Sequence, residues 1–535
     1  AVMSAFTGLR RCLGLATRRY RWQALAWMAP LWAFLLLHPI ALERFYPSSA
    51  ERSALLAQMR NAPGVGLLFG PLPNSAELGS FVSWLDGAYI LYLVAIMAIM
   101  LTTALARRDE QEGLVEVALG AGAGRWAPFA SAALWLVGVM TLTAVGLTMS
   151  LVGVNSAAGQ APLPGSIAFG GVVAAQGLAF SAISLILCQL VPDVSTARGL
   201  GLAVFGASFA LRVLADKTGL AWVRWLSPTA WRDIVNPFDG LHAWAFAVFA
   251  AAIGAAVALA ALLHSRRELL AGILTGRSAS RRRWHVRGAA DLAARLGARR
   301  LAAWALGVVL LGSLFGSMAS GLTKLIESTP TSAAYLDVAV PQAEPIIQYT
   351  TLLTVVMVSV VAVATVQRIL VLFTSEEHGL AEITIACGVS RTRIFLTALA
   401  EAIAVGFLLL LASGAAMAAS TALQLSDEHA PGRAFVFAVS HLPGLSAAIG
   451  FTAGLVGAAP RWRSLAWALI AWSSFARIFG GFMDLPKWAQ DLSILGHVAD
   501  PWGTTHWLPM AVQLGVGIAC CAGGLIAYRV RDIPA

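Results

Sequence analysis

Residues 83–106 read SWLDGAYILYLVAIMAIMLTTALA and contain a single charged residue, Asp86. A segment of about 20 predominantly apolar residues is long enough to cross the hydrocarbon core of a bilayer as an α-helix. In lipid the backbone polar groups must be paired within the segment, and a helix achieves this. The stretch therefore predicts a membrane-spanning helix and, with it, a helical membrane fold.

Similar apolar stretches recur along the chain. We predict about 12 spans of this kind, at 23–41, 83–106, 129–153, 166–190, 199–214, 241–263, 301–321, 347–372, 394–422, 436–458, 464–480 and 507–528. Hydrophobic residues make up 58% of the 535 residues and charged residues only 12%, whereas soluble proteins carry about 25% charged residues. This composition excludes a soluble enzyme and a disordered scaffold, so we expect an all-α polytopic membrane protein.

The basic residues behind the formal net charge of +10 are unevenly placed. Arginines collect before the first span, between the second and third spans, and in the segment 264–298. Because basic residues concentrate in cytoplasmic loops, this pattern predicts that both termini are cytoplasmic. The positive charge then indicates topology and contact with anionic lipid head groups, and we expect no binding of nucleic acid.

An internal repeat divides the chain. The segment EQEGLVEVALGAGAGR at 110–125 aligns without gaps on EEHGLAEITIACGVSR at 376–391, 266 residues later. The identical pairs are Glu110/Glu376, Gly113/Gly379, Leu114/Leu380, Glu116/Glu382, Gly122/Gly388 and Arg125/Arg391. Self-similarity at an offset of almost half the chain, with six predicted spans in each half, indicates two parallel six-helix repeats. We predict a first transmembrane half at 1–263, an Arg-rich cytoplasmic linker at 264–298 and a second half at 299–535.

The two copies, 110–125 and 376–391, are called the acidic segments below. Each lies between the second and third spans of its half. Asp109 can cap a short helix, with Glu112 three residues later completing a capping box, and the glycines that follow end it. Leu114 and Val117 form an apolar face by helical spacing. We predict a short acidic amphipathic helix, and its occurrence twice at matching positions argues against an ordinary solvated loop.

The pattern Glu-x-x-Gly-x-x-Glu, followed by a turn and an arginine, resembles that of ABC-2-type exporter permeases. The whole chain resembles the fused, double-length membrane subunits of tetronasin-type antibiotic and multidrug ABC exporters, whose ATPase is a separate polypeptide. The sequence departs from the pattern at His378, which stands at the position of Glu112. The resemblance implies the ABC-2, or type V exporter-like, fold in a bacterial plasma membrane.

The resemblance further implies that each acidic segment is a coupling helix resting in a groove of one ABC ATPase subunit. The residues expected at this contact are Glu110, Glu112, Gly113, Glu116, Arg125, Glu376, Glu377, Gly379, Glu382 and Arg391. It also implies that the basic stretches at 8–21 and 286–300 are connecting helices on the membrane surface, where basic amphipathic helices lie.

The chain has no phosphate-binding loop of its own. Such a loop ends in Gly-Lys-Ser or Gly-Lys-Thr, but the three lysines here follow Asp216, Thr323 and Pro486. We therefore expect a permease that is not an enzyme and that holds no cofactor or metal. Its expected partners are two copies of an ABC ATPase subunit, which bind the ATP and Mg, together with membrane lipids.

The expected function is export of hydrophobic or amphipathic compounds, such as drugs, antibiotics or lipids, by alternating access. Aromatic and methionine side chains suit an adaptable apolar path for such small substrates, although packing against lipid predicts the same residue types. The candidates for the path are Trp84, Tyr92, Met97, Phe205, Phe209, Met357, Trp472 and Phe475. Arg212 and Arg477, which the repeat pairs, are candidates for an outer gate or for contact with head groups.

A proton-coupled multidrug antiporter of the major facilitator type is the alternative, because it also has two six-helix halves. Such a carrier needs ionisable side chains deep in its spans, and the candidates are Asp86, Glu401 and His441. Glu401 is the strongest candidate for a proton relay, although its position, with no partner evident in the sequence, suits a hydrogen bond between helices as well. The loop Gly-x-x-x-Asp-Arg-x-Gly-Arg-Arg of that family is absent.

Overall fold

The structure, a computed structural model, describes residues 5–60, 66, 68–159, 163–274, 287–316, 345–377, 379–424, 429–480, 485–499 and 505–532. These residues form helices and no β-strand. The chain divides into two compact units, Ala1–Arg282 and Arg283–Ala535. The division falls between residues 264 and 298, the segment predicted to link the halves.

The first unit is a bundle of long helices joined by short ones. Its helices are α1 (Leu9–Phe45), α2 (Ser49–Met59), α3 (Leu78–Thr103), α4 (Leu114–Gly120), α5 (Ala127–Ala157), α6 (Leu163–Leu190), α7 (Val194–Thr218), α8 (Ala221–Trp225), α9 (Trp231–Val235) and α10 (Ala245–Arg266). A π-helical turn, Ala104–Arg108, and a short α turn, Asp109–Gln111, follow α3. Of the apolar part of α3, 72% is buried within the protein, against 11% for α10, so α3 forms the core of this unit.

The second unit repeats this arrangement. Its helices are α11 (Ala289–Gly316), α12 (Pro345–Glu377), α13 (Leu380–Ala386), α14 (Arg391–Gln424), α15 (Ala430–Val439), α16 (Leu442–Ala458), α17 (Leu465–Phe479), α18 (Lys487–Asp491) and α19 (Trp507–Val530). The backbones of α16 and α19 touch: a Cβ at Gly450 would overlap the carbonyl oxygen of Gly517, and one at Gly457 that of Gly524. Small residues permit such close approach of membrane helices.

Eleven helices in the described part of the chain are long and apolar enough to cross a membrane. They correspond to eleven of the predicted spans, and the all-α polytopic fold is confirmed. The span predicted at 464–480 is α17, which has 15 residues. It is shorter than the roughly 20 residues that cross the hydrocarbon core.

The prediction of separate connecting helices at 8–21 and 286–300 was wrong. Residues 9–21 are the first turns of α1, which runs unbroken for 37 residues and is therefore about 55 Å long. Likewise, α11 begins at Ala289 and continues into the span. The physical reason in α1 is that its first proline is Pro30, and residues 9–29 contain good helix formers that propagate the helix from the membrane.

The repeat extends to the side of each unit opposite its acidic segment. The hydroxyl of Ser227 donates to the carbonyl oxygen of Ser208 in α7 at 2.6 Å. In the second unit the hydroxyl of Ser493 donates to the carbonyl oxygen of Ser473 in α17 at 2.9 Å. These matched bonds hold the connection that follows each helix against the helix itself, so the two units share detail well beyond the acidic segments.

Candidate functional site

The acidic segments contain a short helix held between glycines of left-handed backbone. In the first unit, φ is 76° at Gly113 and 86° at Gly122 on either side of α4, and φ is 69° at Gly379 and 85° at Gly388 around α13. Glycine adopts these values without the steric penalty that a Cβ brings. The four identical glycines of the repeat are therefore required by the backbone.

The predicted start of the first short helix was wrong. Sequence reasoning capped it at Asp109 with Glu112 in a capping box, but α4 begins at Leu114 after Gly113, and no side chain caps it. The physical reason is that residues 109–111 belong to the turn that continues α3. The left-handed glycine then separates this turn from α4, and the matching glycine does the same before α13.

The outer face of each short helix is left uncovered in its own unit. Glu116 and Glu382 are exposed. The neighbouring apolar side chains, Val117 and Ile383, are 70% and 62% exposed. An exposed apolar side chain therefore stands beside an exposed carboxylate at matching positions of the two units.

By contrast, Glu110 is buried and fully engaged inside the first unit. Its two carboxylate oxygens accept hydrogen bonds from the Arg267 guanidinium at 2.6 and 2.5 Å. The backbone N–H of Leu270 donates to it at 2.6 Å, and the guanidinium of Arg107 lies 3.2 Å away. The Glu110 side chain is only 4% exposed, so its carboxylate binds the chain that follows α10.

The second unit repeats this ion pair with Glu376 and Arg531, whose charged atoms are 2.5 Å apart. The arginine that closes each acidic segment contributes as well: Arg391 donates to the carbonyl oxygen of Arg531 at 2.7 Å. In the first unit Arg125 donates to the carbonyl oxygen of Ser265 at 2.8 Å. These bonds satisfy carbonyl groups that the end of the last helix leaves unpaired.

A pair of rings completes each arrangement. The ring centres of Phe129 and His264 are 5.0 Å apart, and those of Phe395 and Tyr528 are 5.3 Å apart. We call these sets the first clamp and the second clamp. The first clamp consists of Glu110, Arg125, Phe129, His264 and Arg267, and the second of Glu376, Arg391, Phe395, Tyr528 and Arg531.

Sequence reasoning missed Arg267 and Arg531, which it counted only among the arginines that orient the chain. The sequence does contain a pattern that identifies them. Near the end of the last helix of each half, a residue with a ring side chain is followed three residues later by an arginine: His264 by Arg267, and Tyr528 by Arg531. The offset between these pairs is 264 residues, two fewer than in the acidic segments. A gap-free alignment therefore does not show them.

The first acidic segment has further ties that involve α1. The guanidinium of Arg19 lies 3.2 Å from the Asp109 carboxylate and also bonds to Glu112. Arg108 donates to Glu112 at 2.8 Å. Partial burial raises the pKa of Glu112, but the bonds and charges of Arg108 and Arg19 outweigh it, so this pKa lies below the usual value.

The corresponding region of the second unit differs. Glu377 is exposed and lies 3.4 Å from the guanidinium of Arg463, and His378, the counterpart of Glu112, lies outside the described residues. The environments of the two acidic segments are therefore not identical, although their clamps match.

Some residues predicted for the substrate path lie together in the first unit. The Tyr92 ring lies 6.1 Å from that of Phe205 and 5.6 Å from that of Phe209. Arg212 is buried, with its guanidinium 5.0 Å from the centre of the Phe209 ring. It donates to the carbonyl oxygen of Leu68 at 3.3 Å, so it lies inside the unit beneath the chain that precedes α3.

The remaining path candidates are distributed through the two units. Trp84, Met97 and Met357 are buried in the unit to which each belongs. Trp472 and Phe475 form a ring pair with centres 6.1 Å apart, and Arg477 is half-buried. A substrate path along these residues stays a prediction.

The ionisable residues of the antiporter alternative have partners. Glu401, for which the sequence left open a contact between helices, forms an ion pair with Arg368 of a neighbouring helix. Asp86 pairs with His38 at 2.9 Å, and the Nδ1 atom of His441 lies 3.0 Å from the carbonyl oxygen of Phe437. Arg368 lies on α12 and Glu401 on α14, so the packing of these two helices in the second unit brings the pair together.

Comparison with known proteins gives the context for this site. Residues 286–529 match the family described as the C-terminal domain of the multidrug efflux system permease Rv1217c. The chain is similar to a multidrug efflux permease. The relative is the multidrug efflux system permease protein Rv1217c of Mycobacterium tuberculosis, 28% identical over 555 residues that cover 99% of this chain and 96% of that protein. This similarity and the many apolar helices support a role in transport as a multi-pass membrane permease, and they lend no support to the major facilitator alternative.

Proposed function

We propose that the chain is the membrane subunit of an ATP-driven ABC exporter of the ABC-2 type, fused in double length like the tetronasin-type permeases. Two copies of a separate ABC ATPase subunit bind ATP and Mg and contact α4 and α13 from the cytoplasm. The chain lies in the plasma membrane with both termini in the cytoplasm. It moves hydrophobic or amphipathic compounds outward by alternating access between its halves.

The observation that carries this proposal is the uncovered surface repeated in both units. Glu116 with Val117, and Glu382 with Ile383, project from short helices held on left-handed glycines. Two equivalent surfaces suit two copies of one partner. The other glutamates that are identical in the two copies, Glu110 and Glu376, are used inside the chain. Of the shared glutamates, the exposed pair Glu116 and Glu382 is therefore the one that would meet the ATPase.

The test is to reverse charge at both surfaces with Glu116→Lys and Glu382→Lys in the full-length chain. We expect the ATPase to hydrolyse ATP without driving export of a hydrophobic dye such as ethidium from cells. The matched control reverses Glu77 and Asp491, exposed acidic residues of the first and the second unit that belong to neither an acidic segment nor a clamp, and should export normally. Unchanged export in the variant with Glu116→Lys and Glu382→Lys, with the ATPase still bound, would contradict the proposal.

A further inference from the structure

Each clamp connects helices that are distant in the chain. In the first unit, Glu110 lies just after α3, Arg125 lies just before α5, and Arg267 directly follows α10. The second clamp joins the corresponding helices α12, α14 and α19 through Glu376, Arg391 and Arg531. In both units, the second, third and last long helices are therefore fastened together at the end that carries the acidic segment.

The chemistry of the clamps makes these connections firm. Two parallel bonds from one guanidinium to one carboxylate fix orientation as well as distance, and Arg267 and Glu110 are joined in this way. Both side chains are nearly buried, at 5% and 4% exposure. Separation of the pair would leave a buried charge uncompensated, which is strongly unfavourable, so the pair resists being pulled apart.

In the first unit the chain after α10 is anchored at further points. The backbone N–H of Leu274 donates to the carbonyl oxygen of Leu190 at the end of α6, at 2.9 Å. Arg107, in the turn after α3, donates to the carbonyl oxygens of Pro192 at 2.7 Å and Leu270 at 3.0 Å. Residues 267–274 thus form a strap that ties α10 to the ends of α3 and α6.

We propose that the clamps are the joints through which displacement of α4 and α13 reaches the last helix of each half, α10 and α19. This inference rests on the proposed function, because it takes the displacement to be imposed by an ATPase. Glu110, Arg267, Glu376 and Arg531 are then positioning residues that touch neither nucleotide nor substrate. With the clamps intact, α4 pushes on three helices at once; without them, it moves on its glycine hinges alone.

The first arm of the test measures the joint itself. Hydrogen exchange is followed in the purified full-length chain in detergent micelles, with Glu110→Gln compared with the control Glu77→Gln, an exposed glutamate outside the clamps and the strap. We expect Glu110→Gln to speed exchange of the Leu270 amide, whose N–H loses a carboxylate acceptor, and Glu77→Gln to leave it unchanged. Unchanged exchange in Glu110→Gln would overturn the inference.

The second arm measures coupling in inside-out membrane vesicles that contain the chain with its ATPase. The readout is dye molecules transported per ATP hydrolysed, with ethidium and rhodamine as probes. A merely structural loss lowers transport and stimulated hydrolysis together and leaves this ratio unchanged. For Glu110→Gln and Glu376→Gln combined we expect the ratio to fall about fivefold or more, the range of ordinary coupling between sites, with Arg267→Lys intermediate.

The outcomes separate the two claims. If the unaltered chain transports neither dye at the expense of ATP, the proposed function fails, and the role of the clamps fails with it. If the unaltered chain is ATP-driven but the ratio is normal in the combined variant, only the inference is overturned. A lower ratio together with faster exchange at Leu270 supports it.

Discussion

Removing one partner of the Glu376–Arg531 ion pair should lower the free energy of unfolding strongly. Removing both partners should lower it much less. In Arg531→Gln, the Glu376 carboxylate, 2% exposed, would lose its cationic partner. An unpaired buried charge of this kind costs about 3–5 kcal/mol. In the double variant Glu376→Gln with Arg531→Gln no charge is left behind, and the loss falls to about 1–2 kcal/mol, the size of the missing hydrogen bonds.

The assay is unfolding of the purified full-length chain by titration with sodium dodecyl sulfate in mild detergent, followed by tryptophan fluorescence. The control is Arg529→Gln, an exposed arginine on the same helix end, which should change the free energy of unfolding by less than about 0.5 kcal/mol. The reasoning is refuted if Arg531→Gln matches this control, or if the double variant is less stable than Arg531→Gln.

Two further predictions concern the glycines. Gly457→Leu should prevent α16 and α19 from packing, because even a Cβ there overlaps the carbonyl oxygen of Gly524. The control Gly515→Leu, also at the α16–α19 helix pair but facing open space on α19, should be tolerated. The yield of monodisperse protein after detergent extraction distinguishes the two variants. Gly113→Val and Gly379→Val should each strain the left-handed backbone by about 1–2 kcal/mol and weaken dye export. The control Gly120→Ala lies within α4, where an added Cβ meets no neighbour, and should export normally. Equal export by all three variants would contradict a hinge at Gly113 and Gly379.

Much of the fold follows from composition, because lipid leaves an apolar chain few choices other than helices. The long apolar spans were predictable in this way. The repeat, and the short helix after the second span of each half, were predictable from the match between the two acidic segments. Helix ends were harder to predict. The continuation of α1 back to Leu9 depends on how far a helix started in the membrane propagates, and no proline before Pro30 stops it.

The site shows where local pattern stops being informative. The pattern of glutamates in the acidic segment is uniform, yet Glu110 is buried and Glu116 is exposed. The difference arises from Arg267, which is 157 residues away along the chain, and no local spacing identifies such a partner. Similarly, Glu401 on α14 looked unpaired because its partner Arg368 lies on a different helix, α12.

The central claim, that α4 and α13 meet an ATPase, is tested most directly by photo-crosslinking in native membranes. A photoreactive residue is placed at Val117 or at Ile383 of the full-length chain, and at Trp222, which is exposed on the opposite side of the first unit, as the control. The account predicts that both test positions, and not the control, crosslink to one ABC ATPase, which mass spectrometry would identify. Crosslinking of Val117 and Ile383 to lipid alone, or equally from all three positions, would contradict it.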